Sequence, residues 1–258
     1  MPKYDIHIVV ICCKEERKAF QKKQFAALQL PYDVTYAWAY SPETSRSYIV
    51  DYDPEFPESD TTLCCMRSHA AVLDWFYHNT ASDYILVVED DVTFRKEELA
   101  AKISHVIDLW SEHSGEIDYV SLGYLITTEI GNYPTAEHSD GALYWGKQTP
   151  SVWGTQAYLV KRPVVKQMID IFYQPTTRDL RNKIAETLRI RGKYTNRHER
   201  IQSDSLLAIL FRQGFVRPIL AIEGQFQSII EGKYLGDARW KKAIEKGTVQ
   251  LSDFYGCV

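Results

Sequence analysis

The chain has 258 residues, of which 45% are hydrophobic, and its formal net charge is −4. That is apolar content enough for a substantial core, while the acidic balance excludes bulk nucleic-acid binding as a main role. No apolar run approaches the roughly 20 residues that span a bilayer, and Met1–Asp5 leads into a strand without a signal-peptide pattern, so a cytoplasmic location is expected. Ile6–Ile11 is a continuous apolar run, the mark of a strand central in its sheet. Lys14–Leu28 follows with Phe20, Phe25 and Leu28 on one face and basic residues elsewhere, which predicts an amphipathic helix that stops before Pro31. Asp33–Trp38 is a second strand, and this βαβ opening predicts a parallel sheet with a right-handed crossover.

Residues 41–60 carry Pro42, Pro54 and Pro57 without periodicity and read as a loop. Thr61 or Thr62 caps a helix that runs to about His78. Ile85–Val88 is a buried strand that runs into the acids Glu89–Asp91, and Lys96–Trp110 has the spacing of a helix. Tyr119–Leu122 is a strand, residues 123–150 a loop or short hairpin, and Ala157–Val160 another strand. Pro163 starts a helix to about Phe172. Residues 176–200 hold eight Lys/Arg against three acids and read as a basic loop. Ser203 or Asp204 caps a helix carrying Leu206, Leu207, Ile209 and Leu210, and residues 215–222 are extended. No repeat, linker or low-complexity tract divides the chain, so residues 1–258 are expected to form one domain. The five cysteines (Cys12, Cys13, Cys64, Cys65 and Cys257) are odd in number and adjacent in pairs, which suits neither a disulfide framework nor a zinc site. They read as reduced, mostly buried thiols.

The chemistry concentrates at Glu89-Asp90-Asp91, directly after the buried run Ile85–Val88. Open α/β sheets bind ligands outside the carboxyl ends of their strands. Three adjacent acids there repel one another unless a cation or a proton relieves them. An all-oxygen donor set favours a hard divalent ion, Mn²⁺ or Mg²⁺, over zinc. If the strand continues, Glu89 and Asp91 share one side and Asp90 takes the other, so Glu89 and Asp91 are the expected metal ligands. The bland alternative is a helix cap at Asp91 or Thr93 with the other acids solvated. Two rival enzyme classes fail on residues. A dehalogenase-type phosphatase needs Asp, not Glu89, as its nucleophile, and a sugar nucleotidyltransferase would show glycines in Ile11–Glu15. Asp204 stands at a helix start where a carboxylate can serve as general base or merely as a cap. Trp153 offers an apolar wall to a sugar, or core.

Three segments in this order resemble the family 25 glycosyltransferases: Leu63–His69 with Ser68-His69, Ile85–Val92 with its Glu-Asp-Asp, and Gly154–Arg162 with Gly-Thr-Gln-Ala-Tyr. Ser203-Asp204-Ser205-Leu206 and the run from Pro218 through Gln225 to Ser228-Ile229 are similar to later family segments. The resemblance implies an α/β, GT-A-like nucleotide-sugar-binding fold with a mostly parallel central sheet flanked by helices. Residues 1–122 would form the nucleotide- and metal-binding half, and residues 123–258 the acceptor half and tail. It implies a UDP-sugar donor, a divalent cation, inversion at the anomeric carbon, and a glycan or glycoprotein acceptor. Carried over, Asp91 is the direct metal ligand, Glu89 lies on metal or ribose, Asp204 is the general base, and Arg67, Ser68, His69, Asp90 and Trp153 are donor-side candidates. Cys64, where the family usually has Gly, Arg67, where it often has an apolar residue, and the basic segment 176–200 depart from the pattern. Donor sugar and acceptor therefore stay open, as does an alternative in which the chain binds a nucleotide sugar without catalysis.

Overall fold

Strand β1 (Ile6–Cys12) is apolar at nearly every position because it is buried on both faces, with β2 (Asp33–Trp38) and β3 (Tyr84–Glu89) parallel to it on either side. The computed structural model describes residues 3–41, 60–125, 132–146, 152–174, 176–190, 203–224 and 242–256, leaving aside the side chains of residues 60, 125, 153, 177, 204 and 205. The remaining strands are β4 (Val92–Phe94), β5 (Tyr119–Leu125), β6 (His138–Asp140), β7 (Leu143–Trp145), β8 (Trp153–Lys161), β9 (Gln213–Val216) and β10 (Ala221–Glu223). The helices are α1 (Glu15–Leu28), α2 (Asp60–Asn79), α3 (Leu99–Glu112), α4 (Arg162–Phe172), α5 (Thr177–Ile190) and α6 (Ser203–Leu210).

The main path of the sheet runs β2-β1-β3-β8-β5-β9-β7-β6, with β10 on β5 and β4 on β10. β8 is antiparallel to both β3 and β5, and β4 and β7 also run against the rest. The other seven strands share one direction, so the sheet is mostly parallel, as the α/β reading expects. Alternate residues of β1 and β3 feed two cores. Ile8, Val10, Leu86 and Val88 pack with Phe25 of α1 and with Ile103, Ile107 and Trp110 of α3. Val9, Ile11, Ile85 and Val87 pack with Met66, Leu73 and Phe76 of α2, Met168 of α4, Ile184 of α5 and Leu207 of α6. The result is helices on both faces of one sheet.

Three expectations change. The acid-tipped strand is two strands: β3 stops at Glu89, Asp90 and Asp91 form a turn, and β4 begins at Val92. Neither Asp91 nor Thr93 therefore caps a helix. The basic stretch expected as a loop is helical over Thr177–Ile190, because Leu180, Ile184 and Leu188 repeat every four residues and are buried under its charges. Helix α1 turns an unexpected face inward: Arg17, Gln21, Gln24 and Phe25 are buried. Of the four described cysteines, Cys12 and Cys64 are buried, Cys65 is half-buried and Cys13 is exposed. Residues 42–59, 191–200 and the segment holding Gln225, Ser228 and Ile229 lie outside the described residues.

Candidate functional site

Helix α1 holds the acid turn through its inward polar face. Gln21 Nε2 donates to Asp90 O (3.1 Å) and Val92 O (2.7 Å). Gln24 Nε2 also reaches Val92 O (3.1 Å), and its Oε1 accepts the Phe94 N–H (2.8 Å). Between β3 and β4 the backbone leaves the ladder, and buried backbone groups must find partners elsewhere. Two glutamines one helical turn apart supply them. From the other side the Gly224 N–H, just after β10, donates to Asp91 O (2.5 Å), where Glu223 opposes Val92 in the β10–β4 ladder.

The three acids then divide. Asp90 faces the end of β1: its Oδ2 accepts the backbone N–H of Cys13 (2.5 Å) and of Lys14 (3.4 Å), and its Oδ1 meets Arg17 Nη1 (3.1 Å). Burial raises its pKa, with those N–H groups and the guanidinium pulling the other way. The same Arg17 Nη1 lies 3.5 Å from Asp91 Oδ2. Asp91 Oδ1 is buried and has no hydrogen-bond partner among the described residues. Burial, then the charges of Glu89 and Glu223, push the Asp91 carboxyl well above the usual carboxylate range despite Arg17. This carboxylate is starved of positive charge, which is the electrostatic condition a bound cation relieves. A buried carboxylate oxygen with no hydrogen-bond partner among the described residues is compatible with an oxygen-ligated ion at Asp91.

Glu89 points into a second network. Its Oε1 accepts from Thr155 Oγ1 (2.6 Å) and lies 3.3 Å from His69 Nε2. His69 Nδ1 is 3.0 Å from Tyr158 OH, and Ser203 Oγ stands 3.3 Å from Thr155 Oγ1 and 3.6 Å from Cys65 Sγ. Burial works to raise the Glu89 pKa, but the hydrogen bonds and charges of His69, Thr155 and Arg17 outweigh it and hold the carboxyl below its ordinary value. Ligand atoms of Cys65, His69 and Glu89 all lie within 4.8 Å of one another. Gly154 precedes Thr155 at φ +105°, a backbone conformation side chains rarely adopt.

Four distant segments thus meet at the carboxyl end of β3: Cys65 and His69 on α2, the acids, Thr155 on β8 and Ser203 at the start of α6. Asp204 is the second residue of α6 and Trp153 the first of β8, and both side chains lie outside the described ones. Ser68 is engaged within the protein: its Oγ accepts the Tyr40 N–H (2.9 Å) and donates to Cys64 O (2.7 Å). Arg67 donates through Nη2 to Gln174 O after α4 (2.5 Å). Sequence reasoning missed Arg17, Cys65, Thr155 and Glu223. Cys65 and His69 sit one helical turn apart, a spacing that would have paired them. Nothing in the sequence marks Arg17 off from the other basic residues of its helix.

The family model described as "Glycosyltransferase family 25 (LPS biosynthesis protein)" matches residues 4–181. No curated protein matches the chain. Solved structures similar to it include the mannose-1-phosphate geranyltransferase from Thermus thermophilus (12% identity, 85% of this chain and 74% of that one, TM-score 0.44). Mouse xyloside xylosyltransferase 1 is another (8% identity, 80% and 81%, TM-score 0.40). A third is a glycosyltransferase involved in glycosylation of the major capsid of PBCV-1 (12% identity, 66% and 66%, TM-score 0.35).

Proposed function

The chain belongs to glycosyltransferase family 25, and from that premise we propose a metal-dependent, inverting transferase. It moves a sugar (galactose, xylose or a related one) from a UDP-sugar to a hydroxyl of a glycan or glycoprotein. The observation that carries the metal reading is the buried, unpartnered Asp91 Oδ1 beside only one guanidinium among the described residues. Asp91 would hold Mn²⁺ or Mg²⁺, with Glu89 on the ion or on the ribose. When bound, the ion offsets the negative charge that builds on the diphosphate as its bond to the sugar breaks.

In this reading Asp204 takes the proton of the acceptor hydroxyl. The acceptor oxygen forms its bond to the anomeric carbon as the bond to the UDP oxygen breaks on the opposite face, which inverts the centre. Asp204 is the candidate because it directly follows Ser203 at the start of α6, and the Ser203 hydroxyl borders Thr155, which donates to Glu89. Asp90 keeps the end of β1 and Arg17 in place, and Trp153 and His69 are assigned to donor binding. Basic residues of α5 can neutralise the departing diphosphate or bind an anionic acceptor. General-base action is usually worth about 10²–10⁴-fold. Asp204→Asn should cut turnover of UDP-sugar by about that range, with donor binding by calorimetry retained. Near-normal turnover would reject Asp204 as the base.

A further inference from the structure

The second network has the donor chemistry of a different metal. We propose that Cys65, His69 and Glu89 form a zinc site, which differs in ligand type from the oxygen site at Asp91 and borders it through Glu89. A thiolate, an imidazole and one carboxylate are the donors that zinc takes, whereas Mn²⁺ and Mg²⁺ favour oxygens. The three ligand atoms converge within 4.8 Å of one another before any ion draws them in. Zinc–nitrogen and zinc–oxygen bonds of about 2.0–2.2 Å at a tetrahedral angle place N and O roughly 3.3–3.5 Å apart. The distance from His69 Nε2 to Glu89 Oε1 is 3.3 Å. Cys65 and His69 project from successive turns of α2, the arrangement by which one helix face supplies two ligands.

Each ligand also has an outer partner. Tyr158 OH lies 3.0 Å from His69 Nδ1, and Nε2 faces Glu89 Oε1, where a metal would take the place of a shared proton. Thr155 Oγ1 donates to Glu89 Oε1, and Ser203 Oγ lies 3.6 Å from Cys65 Sγ. Such partners orient ligands and typically account for about 10–100-fold in metal affinity. His69 is buried, while Cys65 and Glu89 are half-buried; water or substrate would complete the coordination. Three protein ligands with one open position is the pattern of zinc sites that do chemistry or bind a ligand.

The test uses cobalt(II) alone as the probe, added to the reduced full chain. Thiolate ligation gives an intense near-ultraviolet charge-transfer band, and added zinc should bleach it. The site predicts that band in the parent and in Asp91→Asn, its loss in Cys65→Ser, and about 10–100-fold weaker metal binding in Tyr158→Phe. No band in the parent, or a band surviving in Cys65→Ser, would overturn it and leave an internal hydrogen-bond network. Because Asp91→Asn removes the oxygen site but spares this one, failure here and failure of the transferase reading give different results.

Discussion

Asp91 is the residue on which the electrostatics turn. Its folded pKa is raised, by burial first and then by Glu89 and Glu223. A raised carboxyl favours folding below its unfolded pKa, and that contribution is lost as pH rises through the folded value. At neutral pH, well above the unfolded value, Asp91 therefore costs stability wherever no cation is bound. Asp91→Asn removes the charge and should raise Tm in chelator at neutral pH, by about 2–4 °C if the relief is near 1 kcal/mol. The gain should shrink as pH falls toward 4. A lower Tm than the parent under those conditions would show that Asp91 is stabilising as it stands. Arg17 works the other way. It is the one guanidinium within 4 Å of both Asp90 and Asp91 among the described residues. Arg17→Met would leave two buried acids without it, a loss of about 3–5 kcal/mol, read by urea denaturation.

Helix α1 shows where a hydrophobic pattern misleads. Phe20, Phe25 and Leu28 suggest the inward face, yet Arg17, Gln21 and Gln24 are as buried as Phe25. Their partners are the backbone groups of a turn far along the chain, with Phe94 standing 70 positions from Gln24. A helix pattern carries no record of what it docks against. Gln24→Leu keeps the helix propensity but leaves the Phe94 N–H without its acceptor, which should cost about 1–3 kcal/mol in chemical denaturation. A neutral result would mean that the turn finds another partner. Helix α5 errs in the opposite sense: Leu180, Ile184 and Leu188 carry a legible period, hidden by a net positive charge that reads as loop. The strands β1 and β3 were plain from sequence because strands buried on both faces are uninterrupted runs of apolar residues.

Across the whole molecule, the sheet order brings together what the chain separates. β8 inserts antiparallel between β3 and β5, so Thr155 comes beside Glu89 although the two stand 66 positions apart. The acids at a strand end were legible, since strand ends are where an α/β sheet opens to ligands. Their division of labour was not: β3 ends at Glu89, whose carboxylate meets His69 and Thr155, while Asp91 lies past the turn beside Arg17, within reach of the charges of Glu89 and Glu223. The thiols, read only by count and adjacency, hid Cys65: His69 one turn along α2 was legible as its companion, but Glu89 comes from β3. These placements all serve one claim, that Asp91 holds a divalent cation through which UDP is bound. Isothermal titration of UDP into the parent protein with Mn²⁺ and then with chelator tests it most directly. The account predicts binding with Mn²⁺ that weakens about tenfold or more, at least 1.4 kcal/mol, in chelator and equally in Asp91→Asn. UDP affinity that is the same with Mn²⁺ and with chelator would contradict it.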